Sequence, residues 1–354
     1  MTIKVSGYAA HSKSSALELF SFERREPRAE DVVINILYCG ICHSDIHTAR
    51  SEWGGTQYPC VPGHEIIGRV LATGSKVSDY KVGELVGVGC MVDSCHRCQS
   101  CDEGLEQYCN NGFTGTYNGK DNIGGTPHPF TLGGYSEQIT VDERFVVRIP
   151  ENLDPAAAAP LLCAGITTYS PLKHWNVGPG LKVGIIGLGG LGHMGVKFAH
   201  AMGAEVIMIT TSPEKGADAK KLGADHVLLS TDKGAMSAAQ NSFDFLLNTI
   251  PVGHNVDPYM ALLKRDATMV IVGAVEPLTQ VNGAPLIFGR RHMAGSLIGG
   301  VPETQEMLDF CGKHNITCDI ERINIQEVNE AYDRTVKGDV KYRFVIDMAS
   351  LNKK

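Results

Sequence analysis

Cysteine is the residue type whose spacing in this chain speaks most directly of chemistry. Cys95, Cys98, Cys101 and Cys109 stand as C-x2-C-x2-C-x7-C, close enough in sequence for one short loop to wrap four thiolates round a single tetrahedral ion. Zinc held by four protein ligands has no position left for substrate, so a site of this kind is structural and fixes a loop that lacks a core of its own. An iron–sulfur run of the ferredoxin type ends C-x3-C-P, whereas here the last interval is longer and Asn110 follows Cys109. Two disulfides are the other reading, and they fit a reducing compartment poorly.

A second group of donors is scattered more widely. Cys42-His43-Ser44-Asp45-Ile46-His47 follows the apolar run VVINILYCG, Gly63-His64-Glu65 lies about twenty residues on in YPCVPGHEIIGRV, and Cys163 stands in PLLCAGITTY. Each alone has an ordinary reading, the thiol as a small core residue and the imidazole as a satisfied hydrogen-bonding group. Together they supply Cys, His and Cys. That donor set leaves a fourth zinc position open to water or substrate, where the metal can polarise an alcohol or carbonyl oxygen.

A third pattern concerns a cofactor. Gly187, Gly189 and Gly192 form G-x-G-x-x-G, with Gly190 and Leu191 between the last two, directly after the apolar run KVGIIG and directly before GHMGVKFAHAMG, whose apolar residues recur at helical spacing. In that position the first glycine permits a tight turn and the second lets backbone approach a pyrophosphate. The third lets helix and strand pack closely, while the helix N-terminus offers free N–H groups to the phosphates. An NAD site places an acidic residue roughly 20 residues further on, against the ribose 2′-hydroxyl. Here that position reads Thr210-Thr211-Ser212, with Lys215 just beyond. Hydroxyls and a nearby cation receive a 2′-phosphate where a carboxylate would repel it, which favours NADP(H). Thr211 and Ser212 can cap the following helix at the same time.

These groups must be positioned by a scaffold of sufficient size. With 354 residues, 43% of them hydrophobic, the chain exceeds what one core usually serves. Residues 1 to about 150 show short apolar runs between turn residues, the pattern of an irregular, mostly β domain. From Lys182 strands and helices alternate through KVGIIG, EVIMIT, HVLL, FDFLLNT and TMVIVG, which predicts a doubly wound parallel α/β sheet. After about residue 300 a helical stretch and a strand return to the first domain. The expected division is 1–155 with 299–354 for a catalytic zinc domain and 156–298 for a Rossmann domain.

The formal net charge of -7, with Lys and Arg scattered, argues against a nucleic-acid partner. The segment MTIKVSGYAA lacks a secretion signal's charged and apolar regions, and no run approaches the roughly 18 apolar residues of a membrane span. A cytoplasmic location without membrane association is the expectation.

GHEIIGRVLATGSKV, the four-cysteine lobe, CHSDIH and GLGGLG together resemble the zinc-containing medium-chain alcohol dehydrogenases, over essentially the whole chain. SEWGGTQYPCVPGHE, PLLCAGITTYSPL, TTSPEK and KGDVKYRFVIDM are most similar to the cinnamyl alcohol dehydrogenase branch. The resemblance implies a GroES-like catalytic domain, two zinc ions per chain, NADP(H), activity on aromatic and aliphatic aldehydes, and a dimer formed through the Rossmann sheet edge near residues 292 to 299. It assigns the catalytic zinc to Cys42, His64 and Cys163, with Glu65 as an alternate ligand during water exchange and Asp45 accepting the remaining N–H of His64. His43 takes the position of a cofactor pyrophosphate contact. Ser44 passes the substrate proton through the nicotinamide ribose to His47, an imidazole that can exchange it with solvent.

Trp53 and the loop residues Leu297 and Ile298 are the candidates for substrate pocket and nicotinamide contact, Trp53 having packing at the surface as its other reading. The tryptophan that plant lignin-pathway members carry soon after the fourth structural cysteine is missing from Asn110-Asn111-Gly112-Phe113-Thr114, so a broad aldehyde reductase is expected rather than a specialist. The competing readings are an NAD(H)-linked polyol or secondary-alcohol dehydrogenase of the same fold, and a cofactor-binding redox sensor without catalysis. Thr211, Ser212 and Lys215 argue against the first; the second has no need of Cys42, His64, Cys163, Ser44 and His47 together. Cys39, Cys60, Cys90, Cys311 and Cys318 are read as structural or incidental.

Overall fold

In the computed structural model, which describes residues 2–273, 276–278 and 281–352, the chain forms two compact units, Met1–Cys163 with Gly299–Lys354, and Ala164–Ile298. The first junction falls at 163/164 rather than 155/156, because Pro155–Ala158 and the 3-10 turn Ala159–Leu162 are buried against the first unit.

The first unit is built on a seven-stranded sheet. Its path runs Ile320–Asn324, Arg343–Asp347, Asp31–Gly40, Ile66–Thr73, Leu85–Val88 and Val147–Arg148, with Gln138–Asp142 also paired to Asp31–Gly40. Asp31–Gly40 is central, and most of its residues are buried whichever face they point to, so it lacks the alternation of a half-exposed strand. Its antiparallel register with Ile66–Thr73 pairs Cys39 with Ile66. Residues just past the first strand and residues just before the second therefore emerge at the same end of the sheet. The C-terminal return contributes two strands rather than one, Ile320–Asn324 and Arg343–Asp347, the half-exposed first one being hidden in a polar stretch.

Arg24 holds a loop of this unit in place. It is buried and donates to the carbonyls of Leu132 and Gly133 at 2.9 and 2.8 Å and to Ser136 Oγ at 2.9 Å. The loop in turn grips residues 61–63, with Gly133 N–H on Val61 O, Gly134 N–H on Gly63 O and Tyr135 N–H on Pro62 O.

The second unit is a six-stranded parallel sheet. Lys182–Ile186 has Glu205–Thr210 and then His226–Leu229 on one side, and Phe243–Asn248, Leu263–Ile271 and His292–Gly295 in turn on the other. The order reverses between Lys182–Ile186 and Phe243–Asn248, the switch point at which such sheets bind ligands. Leu246, Val256, Leu262, Leu263 and Met269 are fully buried in its core. Among the described residues no helix is long and apolar enough to cross a membrane.

Replacing Arg24 by Met leaves the buried Leu132 carbonyl without its donor, at about 1–3 kcal/mol, and removes the contacts to the Gly133 carbonyl and Ser136 Oγ, which keep their bond to each other. The expected loss is roughly 3 kcal/mol of unfolding free energy, read from the midpoint of urea denaturation.

Candidate active site

Cys42 ends the run out of Asp31–Gly40 and caps the helix His43–Ala49. Asp45, three residues on and fully buried, folds back on it: the Cys42 N–H donates to Asp45 Oδ2 at 2.8 Å. The other carboxylate oxygen accepts from the Gly63 N–H at 2.9 Å and lies 3.1 Å from His64 Nδ1. With Nδ1 as the donor, the lone pair of Nε2 is left for a metal. Burial pulls the His64 imidazole toward its neutral form, but the Asp45 charge, nearby Cys90 and the hydrogen bonds from Asp45 and Cys42 outweigh it and raise its pKa. Gly63 has φ +104° and packs on Tyr135, Cys39 and the Gly134 backbone, so a side chain there would displace His64.

Cys163 terminates the turn Ala159–Leu162, and its sulfur lies 4.0 Å from that of Cys42. Ligand atoms of Cys42, His64, Glu65 and Cys163 all lie within 4.8 Å of one another. Contact with Cys163 holds the Cys42 thiol well below its usual range despite burial, and the same contact raises Cys163. Two thiols this close to a buried imidazole are a soft, nitrogen–sulfur donor set of the kind that takes zinc.

Glu65 shares the cluster but already has a partner. Its Oε1 accepts from Arg343 Nη2, which also donates to the Ile41 carbonyl at 2.8 Å. Oε2 is buried without a hydrogen bond, in space that only Gly40 leaves, since a Cβ on Gly40 would lie 1.9 Å from it. Burial pushes the Glu65 carboxyl up to about 7, against the pull of Arg343.

The four cysteines of the lobe come together as their spacing predicts. Sulfur separations are 3.5 Å for Cys98–Cys101 and 3.9 Å for both Cys95–Cys101 and Cys98–Cys109. All eleven cysteines are free of disulfides. The backbone N–H groups of Asn110 and Cys101 bring the Cys98 thiol down to about 6, already close to the thiolate that a metal requires.

In the second unit Gly187 takes φ +92°, and a Cβ on Gly189 would meet nothing within 4 Å. A Cβ on Gly192 would lie 1.9 Å from the Gly187 carbonyl. These are the three glycine roles of a dinucleotide-binding turn, with Leu191 as the residue before the helix Gly192–Ala201. Thr249 locks the turn from the neighbouring strand, its hydroxyl donating to Ile186 O at 2.8 Å. Past Glu205–Thr210, Thr211 is exposed. Ser212 is the N-cap of Pro213–Lys221, accepting from the Lys215 N–H and donating to Glu214 Oε2 at 2.6 Å. Capping is therefore part of what Ser212 does.

Of the remaining predicted residues, His43 is exposed and Ser44 Oγ lies 3.6 Å from Cys42 Sγ. His47 is paired through Nδ1 with Glu52 and lies 5.0 Å, ring to ring, from Trp53, which is 51% exposed. Leu297 is 46% exposed, and Ile298 carries a positive φ of 37°, rare for a β-branched residue. Sequence reasoning missed Arg343, Glu52, Thr249 and Tyr117, whose ring lies 5.5 Å from that of His64. A lone arginine inside the apolar run KYRFVIDM was the one available signal, for Arg343. Cys90, read as incidental, packs its thiol against Leu162 O and Cys163.

Residues 28–151 match the family model "Alcohol dehydrogenase GroES-like domain", and residues 190–313 match "Zinc-binding dehydrogenase". The chain belongs to the zinc-containing alcohol dehydrogenases. It is 56% identical to aldehyde reductase YahK of Escherichia coli over 99% of both chains. Identity to NADP-dependent alcohol dehydrogenase C 1 of Mycolicibacterium smegmatis is 52%, covering 98% of this chain and 99% of that one. Among solved structures, a cinnamyl alcohol dehydrogenase of Sorghum bicolor superposes with a TM-score of 0.94 at 45% identity over 98% of both chains. That of Helicobacter pylori, complexed with NADP(H), does so with 0.92 at 42% over 99% of both. Family and branch thus agree with the resemblance read from the sequence.

Asp45→Asn keeps the size of the side chain and removes its charge. Zinc affinity at the Cys42–His64–Cys163 site is expected to fall by about 10–100-fold while the lobe keeps its ion, measured by competition with a chromophoric chelator.

Proposed function

We propose that this alcohol dehydrogenase is NADP(H)-dependent and works mainly as an aldehyde reductase, on primary alcohols and their aldehydes, cinnamyl-type aromatic ones included. The observation that carries the reading is the Cys42–His64–Cys163 donor set, gathered with Glu65 so that the ligand atoms lie within 4.8 Å of one another; zinc on those three ligands would leave a fourth position for substrate. The relatives named as aldehyde reductase, NADP-dependent alcohol dehydrogenase and cinnamyl alcohol dehydrogenase support the substrate class and the cofactor. So does the tip of the second strand, where Thr211 and Ser212 put hydroxyls in place of a carboxylate. An NAD(H)-linked polyol dehydrogenase would need an acid at that place, and Glu214, held by Ser212 in the first helical turn, is directed elsewhere.

When bound, zinc on Cys42, His64 and Cys163 supplies Lewis-acid polarisation of the substrate oxygen, and the nicotinamide supplies or accepts hydride. The chain's own residues do the rest. Asp45 fixes the His64 tautomer; Glu65, balanced between burial and Arg343, is the spare ligand for exchange at the open position. Ser44 takes the proton from the substrate hydroxyl, and His47, oriented by Glu52, hands it to solvent. In the second unit Gly187, Gly189, Gly190, Leu191 and Gly192 cradle the pyrophosphate, Thr211, Ser212 and Lys215 receive the 2′-phosphate, and Ile298 meets the nicotinamide; His43, in the first unit, is kept as a cofactor contact on the family resemblance. Trp53 in the first unit and Leu297 in the second, both apolar and exposed, are each assigned to the substrate on the family resemblance. Two zinc ions are required, one in each cysteine-bearing site.

The protein is cytoplasmic in this reading, in keeping with eleven free thiols, and it is a homodimer. Support for the dimer lies in the second unit. Its edge strand His292–Gly295 pairs on one side only, and the adjoining helix Gly283–Gly289 leaves Ile287 and Phe288 78% and 89% exposed. Phe288→Glu is expected to shift the sedimentation coefficient from dimer toward monomer, and a native monomer would remove the dimer from the account.

Ser212→Asp is expected to raise KM for NADPH by about tenfold or more while changing KM for NADH little, because a carboxylate repels the 2′-phosphate. An unchanged ratio of the two constants would place the phosphate elsewhere.

A further inference from the structure

The four lobe thiolates are chemically alike but not equally guarded. Four thiolates on one zinc leave a net charge of about −2, so the sulfurs remain nucleophilic unless hydrogen bonds draw off their charge. Backbone donors do this for three of them. Asn110 N–H donates to Cys98 Sγ at 3.4 Å and Cys95 N–H to Cys109 Sγ at 3.5 Å, and the Arg97 N–H serves Cys95. Beside Cys101 stands a side chain instead, the Ser94 hydroxyl at 3.3 Å. With the sulfur held as a thiolate the hydroxyl is the donor.

That donor is contested. His96 Nε2 lies 2.8 Å from Asp93 Oδ1, so its N–H points there and Nδ1 is left as an acceptor. Nδ1 stands 3.5 Å from Ser94 Oγ and competes with Cys101 for the same rotatable hydrogen. A backbone N–H cannot turn away in this manner.

Access separates Cys101 from the others a second time. A groove of about 430 Å³ in the first unit is lined by Ser94, His96 and Cys101, with Tyr80, Phe145 and Val301 among its apolar walls. Cys95, Cys98 and Cys109 do not line it. Arg144 is matched with Asp142 and Arg148 with Glu84, and Glu106 Oε2 is occupied by the Val301 N–H at 2.9 Å, so the groove suits a neutral, partly apolar molecule rather than an ion.

We propose that Cys101 is the modification site through which neutral α,β-unsaturated electrophiles open the structural zinc lobe, and that the Ser94 hydroxyl restrains the attack. The sulfur forms a bond to the β-carbon while the carbon–carbon π pair moves onto the carbonyl as an enolate, which takes a proton from water. Addition turns a thiolate into a thioether, the zinc loses a charged ligand, and the lobe loses what holds it together.

The test uses the zinc-loaded, full-length protein with a limiting amount of N-ethylmaleimide, and needs no turnover assay. Peptide mapping by mass spectrometry at low conversion should find Cys101 labelled before Cys95, Cys98 and Cys109. A metallochromic indicator should report zinc release at the rate of Cys101 labelling. Ser94→Ala should label Cys101 about three- to tenfold faster, the worth of one hydrogen bond, and Ser94→Thr, which keeps the hydroxyl, should restore the slow rate. If another lobe cysteine is labelled first, or if Ser94→Ala speeds all four equally through general loosening, the proposal falls.

Discussion

One carboxylate holds the catalytic centre together. Asp45 takes the backbone N–H of Cys42 on one oxygen, and on the other the backbone N–H of Gly63 and the ring of His64. It thus ties Cys42 and His64, the proposed metal ligands 22 residues apart in numbering, into one unit. A charge with no access to water is expensive unless its oxygens are occupied, and here both are. The energetic demand of the buried acid and the geometric demand of the metal are met by the same three contacts.

The rest of the first unit serves that arrangement. The Cys39–Ile66 register brings the ends of two strands together, and Asp45 joins what lies just beyond them. Arg24 secures the loop that grips residues 61–63, and Arg343 on the C-terminal strand secures Glu65. Residues far apart in the sequence, Arg24 and Arg343, thus support the segments on either side of His64. In the second unit the corresponding constraint is the close approach of Gly192 to the Gly187 carbonyl, reinforced by Thr249.

Legibility from sequence followed the distance between partners. The lobe cysteines lie within one short segment, so their spacing alone implied a common ion, and the glycine turn announced itself by its place between strand and helix. Cys163 carries no local mark and entered the donor set only in company with Cys42 and His64, where the resemblance then assigned it to the metal; the fold sets it 4.0 Å from Cys42. Glu52 was missed although His47 stands five residues before it, whereas Arg343 and Thr249 were not found because each acts through a partner that only the tertiary fold supplies. Cys90 was dismissed for the same reason. The first domain boundary came eight residues early because composition marks where apolar helices begin, not which sheet they pack against.

The measurement that tests the central claim most directly follows metal content and turnover together. As-purified protein reduces cinnamaldehyde with NADPH while a chelator slowly withdraws metal, and zinc per chain is assayed alongside the rate. The account predicts that activity falls in step with the loss of one of two zinc ions and returns when zinc is restored, the lobe's ion remaining throughout. Full turnover in protein that retains only the lobe's zinc would contradict it, because the Cys42–His64–Cys163 site would then have no part in the chemistry.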